Sequence, residues 1–144
     1  MVIPIVFAGF TATAGGGLNV DTPFVEAQLG RRFTRAPFFE VFLDYSYNAA
    51  ISELSFQTFG VGARTYVLRF GKRFELFHQA LAAFAISGSG EFDNRDIGQR
   101  VLGAVLTQGV GVQAAIDPCW NVALTVSTGT PVWLRPELTV RFTF

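Results

Sequence analysis

The final seven residues, Leu138-Thr139-Val140-Arg141-Phe142-Thr143-Phe144, alternate apolar and polar side chains without a break and finish on an aromatic. Period-two alternation marks a β-strand with one apolar and one polar face. In an open sheet such a strand would be an exposed edge, ready to pair with another chain. A closed barrel has no edge, so this ending points to a strand that closes one.

The charge content agrees with that reading. Only 15% of the 144 residues are charged, against about 25% in an ordinary soluble domain. Half the residues are apolar, with 16 Phe, 15 Gly and a single Lys, Lys72. So little charge suits a surface that faces lipid. The formal net charge is zero, which gives no electrostatic case for nucleic acid. The length suits one domain over residues 1–144. Cys119 is the only cysteine and His78 the only histidine. One of each cannot build a metal centre, so no metal or cofactor is expected.

Membrane helices fit the sequence poorly. A spanning helix needs about 20 apolar residues. The charge-free runs Leu76–Gly90, Val101–Ile116 and Pro118–Leu134 contain 15, 16 and 17 residues. The run Met1–Val20 reaches 20 but contains Pro4 and Gly15-Gly16-Gly17. Helices elsewhere would put Glu40, Asp44 and Arg64 into lipid, at high cost. Tilted strands of about 9–11 residues fit better. The spacing of turn residues predicts eight: residues 2–13, 24–32, 38–48, 55–67, 74–87, 101–116, 121–128 and 135–144. Residues 15–22 and 88–99 then read as loops, the second being the longest.

The two faces of these strands distinguish an eight-stranded soluble barrel from a membrane one. Six charges fall in the interiors of the predicted strands, away from their ends: Glu26, Glu40, Asp44, Arg64, Glu137 and Arg141. All six have the parity of the Gly, Thr, Ser and Gln positions. The opposite face carries Val25, Leu29, Val41, Leu43, Val61, Val110, Val112, Leu138 and Val140 and reads as uniformly apolar. That is the inversion a membrane barrel requires, with a crowded polar lumen inside and apolar residues outside. We therefore expect an all-β, eight-stranded, antiparallel, up-and-down transmembrane β-barrel. Its lumen charges should pair with one another, because buried charges must. Phe33, Phe38, Phe39, Phe70, Phe74, Trp120 and Phe144 near one set of turns, and Tyr45, Tyr47, Phe56 and Trp133 near the other, read as two aromatic girdles.

The N-terminus has two readings. Val2–Phe10 followed by Ala12-Thr13-Ala14 could be a signal peptide, but no Lys or Arg precedes the apolar run. Single-chain bacterial barrels have even strand numbers. Counting residues 2–13 as a strand gives eight and puts both termini on the periplasmic side, with any export signal upstream of Met1.

The chain resembles the small outer-membrane barrels of the OmpA transmembrane-domain and OmpX type. The eight-strand layout carries the resemblance, together with Phe59-Gly60-Val61-Gly62-Ala63-Arg64-Thr65-Tyr66 and the terminal strand. In that family the last strand bears an assembly signal. Here Glu137, Phe142 and Phe144 match it, and Thr139 stands where glycine is usual. The resemblance implies residence in the bacterial outer membrane as a monomer. It also implies contact with outer-membrane lipid and lipopolysaccharide, and insertion by the β-barrel assembly machinery.

Three functions follow as expectations. The first is a structural or loop-mediated interaction role around a side-chain-filled lumen. The second is a narrow passive pore. The third, a barrel enzyme that modifies lipid A, is disfavoured. His78 lies near the periplasmic end with the parity of Ala80, Ala82 and Phe84, and no serine is placed to pair with it.

Overall fold

In a computed structural model, residues 7–19, 22–33, 38–48, 55–88, 101–130 and 134–144 are described. They form eight strands: β1 Phe7–Asn19, β2 Thr22–Phe33, β3 Phe39–Asn48, β4 Ser55–Phe70, β5 Phe74–Gly88, β6 Val101–Ala115, β7 Trp120–Thr130 and β8 Arg135–Thr143. Each strand pairs antiparallel with the next, and β8 returns to β1, so the sheet closes as an up-and-down barrel. No helix occurs among the described residues.

The alternation seen in the sequence becomes the two faces of the wall. Along β3 every second residue from Glu40 to Asn48 is buried, and the residues between them are exposed. Closure consumes the last residue. Phe10 N–H donates to the Phe144 carbonyl at 3.0 Å, and Phe144 N–H donates back at 3.0 Å. The two rings stack with centroids 6.1 Å apart.

The first strand differs from the sequence reading. The expected loop over residues 15–22 is largely strand, because β1 runs on through Gly15-Gly16-Gly17 to Asn19. These glycines lie at the closing seam, where Gly15 pairs with Thr139 and Gly17 with Glu137. A side chain on Gly15 would run into Leu138 O and Thr139 Cγ2, and one on Gly17 into Pro136 O. Here glycine permits close approach of two strands, which sequence alone reads as a loop signal. The start of the predicted strand, Val2–Val6, lies outside the described residues.

The other bounds shift less. Arg69 and Phe70, expected in a turn, belong to β4 and pair with Glu75 and Phe74. The turn itself is Gly71-Lys72-Arg73, with Gly71 at φ 61°. Gly129 and Thr130 extend β7 instead of opening a loop. At the β6–β7 connection, Asp117 Oδ1 accepts the N–H groups of Cys119 and Trp120, both at 2.8 Å, which fixes the bend. The expected turn over residues 34–37 and most of the expected loops over 49–54 and 88–99 lie outside the described residues.

The start of β1, the end of β8 and the β2–β3, β4–β5 and β6–β7 connections lie at one end of the barrel, called the turn end below. The other four connections define the loop end.

Candidate functional site: the barrel lumen

Alternation sends one residue in two from each strand into the lumen, so charges far apart in sequence meet there. Glu26, Glu40, Asp44, Arg64, Glu137 and Arg141 all lie buried inside. They meet in two clusters, joined by a glutamine.

The cluster nearer the turn end is built around Glu40. Its Oε1 accepts from Thr11 Oγ1 at 2.6 Å, and its Oε2 from the Tyr66 hydroxyl at 2.7 Å. Arg141 Nη1 lies 3.1 Å from Glu40 Oε2, and Arg64 Nη1 lies 3.6 Å from Oε1. Arg141 also donates to the Tyr66 hydroxyl and, at 2.9 Å, to Gln113 Oε1. Arg64 donates to Gln79 Oε1 at 2.8 Å, and its guanidinium lies 4.3 Å from the centre of the Phe42 ring. One carboxylate thus compensates two arginines, and Tyr66 holds the geometry by donating to the acid and accepting from Arg141.

Below this, at the turn-end mouth, Glu75 accepts from Arg32 at 2.8 and 2.9 Å, from Arg69 at 2.8 Å and from Gln113. Arg32 also lies over the Tyr66 ring, 4.0 Å from its centre.

The cluster nearer the loop end holds the acids. Arg135 Nη2 pairs with Glu26 Oε2 at 2.6 Å, and Arg135 Nε lies 3.8 Å from Glu137 Oε2. The Arg135 guanidinium packs 3.9 Å from the Phe24 ring centre. Gln28 Nε2 donates to Asp44 Oδ1 at 3.0 Å and to Glu26 Oε1 at 3.3 Å, while Gln28 Oε1 accepts from Arg64 Nη2 at 2.5 Å. Gln28 therefore links the two clusters. An amide side chain can do this because it donates and accepts at once.

Arg135 is the partner that the sequence reading missed. Its parity matches Glu137 and Arg141, but as the first residue of the last strand it reads in sequence as a strand end. Tyr66 and Gln28 were likewise readable by parity as lumen residues, but nothing local marks them as bridging groups.

The remaining lumen is filled by apolar side chains. Phe42, Leu81, Ala83, Ala85 and Val105 form one cluster, and Tyr66, Phe77 and Ala123 another. Two of the rings cover cross-strand glycines. Phe42 pairs with Gly62 and Phe77 with Gly111, and a Cβ on either glycine would strike the facing ring. Phe56, expected in an outer girdle, packs against the Phe42 cluster instead. It shares the inward parity of Thr58 and Gly62, which a count of aromatics near strand ends overlooks. Trp133, the other expected member at that end with Phe56, lies outside the described residues.

The outer face is mostly apolar but not uniformly so, which corrects the sequence reading. Thr65, His78, Gln108 and Thr128 all point outward. His78 pairs across the sheet with Thr65 and Val110, both on that same outer face. Its environment is therefore the outside of the wall, away from the lumen acids.

An inward polar network, an outward apolar wall and eight-strand closure together decide the architecture. The fold is that of the small outer-membrane β-barrels. Solved structures agree. The N-terminal β-barrel domain of Pseudomonas aeruginosa OprF superposes with a TM-score of 0.71 at 12% identity, covering 95% of this chain and 98% of that one. Neisserial surface protein A matches with a TM-score of 0.57 at 13% identity, covering 96% of each chain. A de novo designed transmembrane β-barrel matches with a TM-score of 0.57 at 15% identity, covering 95% of this chain and 96% of the design. No protein-family model and no curated protein matches the sequence. The likeness is one of fold alone, at 12–15% sequence identity.

Proposed function

We propose that the chain is an integral protein of the bacterial outer membrane with a structural or loop-mediated interaction role, and that its lumen network serves to plug and brace the barrel. The observation that carries this reading is the inversion of polarity across the wall. Val25 and Leu43 are 61% and 60% exposed on the outside, while Arg64 and Arg141 are each 1% exposed inside. In water that arrangement would place bare apolar strands against solvent. In a bilayer it puts hydrocarbon against hydrocarbon and keeps the charges of the strand interiors, Glu26, Glu40, Asp44, Arg64, Glu137 and Arg141, away from lipid, where an Arg or Lys at mid-bilayer would cost about 2–4 kcal/mol.

The filled lumen favours bracing over conduction. Side chains from all sides meet at Glu40, Arg64, Arg141 and Tyr66, and the Phe42 and Phe77 rings pack beside them. An eight-stranded barrel has an interior just wide enough for side chains. The aromatic side chains of Phe10, Phe70, Phe74, Trp120 and Phe144, exposed near the turn end, suit one membrane interface. With short turns facing the periplasm, both ends of the described barrel lie on that side and the longest connection, residues 89–100, faces outward. That connection carries Glu91, Asp93, Arg95 and Asp96, polar groups suited to contacts with the surroundings of the cell. Outer-membrane lipid and lipopolysaccharide then surround the wall. The assembly machinery reads Glu137, Phe142 and Phe144. His78 lies on the outer wall beside Thr65 and Val110, away from the lumen acids, a setting that favours a wall residue over a catalytic one.

Heat-modifiable gel migration with circular dichroism in detergent and in lipid vesicles tests the proposal. A β-rich spectrum and a compact band that shifts on boiling are expected. A soluble, lipid-indifferent protein would refute it.

A further inference from the structure

Gln108 sits at the middle of β6 and points out of the barrel. Its neighbours on the outer face are Ala80 on β5 and Thr128 on β7, its cross-strand partners. One residue pair away, His78 faces Thr65 across β5 and β4. Thr65, His78, Gln108 and Thr128 thus make a polar belt across β4 to β7, on a wall that is mostly apolar.

The depth of Gln108 follows from the register. An outward aromatic row, Tyr45–Phe59–Phe84, marks the loop-end side of the wall, and Phe84 pairs with Ala104. Phe74 marks the turn-end side and pairs with Ala114. Gln108 lies four residues from Ala104 and six from Ala114. At about 3.3 Å per residue and a tilt near 40°, it is about 10 Å from one level and about 15 Å from the other. Neither is within reach of its side chain.

On the membrane reading proposed above, on which this inference rests, the Gln108 carboxamide therefore stands in hydrocarbon. It makes no hydrogen bond to another described residue. Acyl chains offer it neither donor nor acceptor, and an unsatisfied amide in lipid is costly. The surrounding wall is recessed. Ala63, Ala80 and Ala82, framed by Val41, Val61 and Leu106, line an outer-face depression of about 580 Å³ that reaches Gln108.

We infer that this face, centred on Gln108, is a self-association surface, and that its occupant in the membrane is a second copy of this chain. Two copies inserted in the same direction are related by a two-fold axis along the membrane normal, which brings residues of equal depth together. A residue on that axis must pair with itself. Glutamine can, because its carboxamide both donates and accepts, so two of them exchange reciprocal hydrogen bonds. Small neighbouring side chains let the two walls approach, as they do between membrane helices. The His78–Thr65 pair lies close by on the same face.

Cys119, exposed in the β6–β7 connection and the only cysteine, provides a labelling site that leaves the surface untouched. Donor- and acceptor-labelled protein is mixed in phosphatidylcholine vesicles, and energy transfer is followed as the protein-to-lipid ratio is varied. Folding is checked on the same samples by heat-modifiable migration. We expect transfer above the level of random proximity in the wild type. In Gln108→Leu, loss of two reciprocal hydrogen bonds should weaken association about tenfold. Ala80→Leu, which fills the depression without touching the lumen, should lower transfer as well and decides the matter if Gln108→Leu folds poorly. A folded wild-type barrel whose transfer never exceeds random proximity overturns the inference and leaves the membrane reading intact, as does transfer that persists in both variants. Failure of the wild type to fold into vesicles at all would instead overturn the membrane reading.

Discussion

Replacing Glu40 by alanine leaves two buried guanidinium groups without their shared counter-ion. Arg141 and Arg64 lie 3.1 and 3.6 Å from the Glu40 carboxylate, and both are almost wholly buried. Thr11 and Tyr66 lose the acceptor of their hydroxyl protons at 2.6 and 2.7 Å. Removing one partner of a buried ion pair costs about 3–5 kcal/mol, since the remaining charge stays desolvated. The two orphaned hydroxyls place Glu40→Ala at the upper end of that range. Glu40→Gln keeps an acceptor for Thr11 or Tyr66 but removes the charge, so it should fall between alanine and wild type. Urea titration in lipid vesicles, read by the boil-sensitive band and by tryptophan fluorescence, measures the change. The cycle with Arg141→Ala sharpens it, because the double variant should lose at least about 1 kcal/mol less than the sum of the singles. A Glu40→Ala barrel within about 1 kcal/mol of wild type, or strict additivity in the cycle, would refute the claim that this carboxylate braces the lumen.

Three further outcomes follow from the same geometry. Leu124→Arg places a guanidinium on the outer wall and should cost about 2–4 kcal/mol in vesicle folding, provided the site is at mid-bilayer; a negligible cost in the same titration would contradict lipid exposure there. Gly62→Ala drives a methyl group into the Phe42 ring and should cost about 1–3 kcal/mol by denaturant midpoint, whereas an unchanged midpoint would mean that the ring moves aside freely. Phe144→Ala should leave folding into vesicles nearly intact while lowering the amount assembled in the outer membrane of cells; equal losses in both assays would reduce the role of Phe144 to packing against Phe10 and Phe142.

The parity of individual strands was legible because it is local. Glu26, Glu40, Asp44, Arg64, Glu137 and Arg141 were assigned to one face from their neighbours alone, and that face is the inner one. Strand ends were harder. The same glycines that signal a loop allow β1 to pass close to β8 at Gly15 and Gly17, and nothing adjacent to them tells the two uses apart. Phe56 lies near a strand end, where an aromatic suggests a girdle, yet its parity is inward. Gln108 interrupts an outward apolar series by a single residue, which gives little local signal.

The amino-acid sequence by itself determined that this chain is all strand, that eight strands fit its length, and that charge belongs on one face. Those properties follow from a two-residue repeat and from the penalty for charge on an apolar wall, and neither depends on where a strand's neighbours lie. Only the tertiary structure decided which charges meet. Arg135 and Glu26 stand 109 residues apart in sequence, and Arg141 and Tyr66 stand 75 apart. Their pairing is set by closure of β8 on β1 and by the stagger of eight registers around the barrel. A one-residue slip in any register would turn that strand's charges outward, so the lumen contacts belong to the closed sheet as a whole.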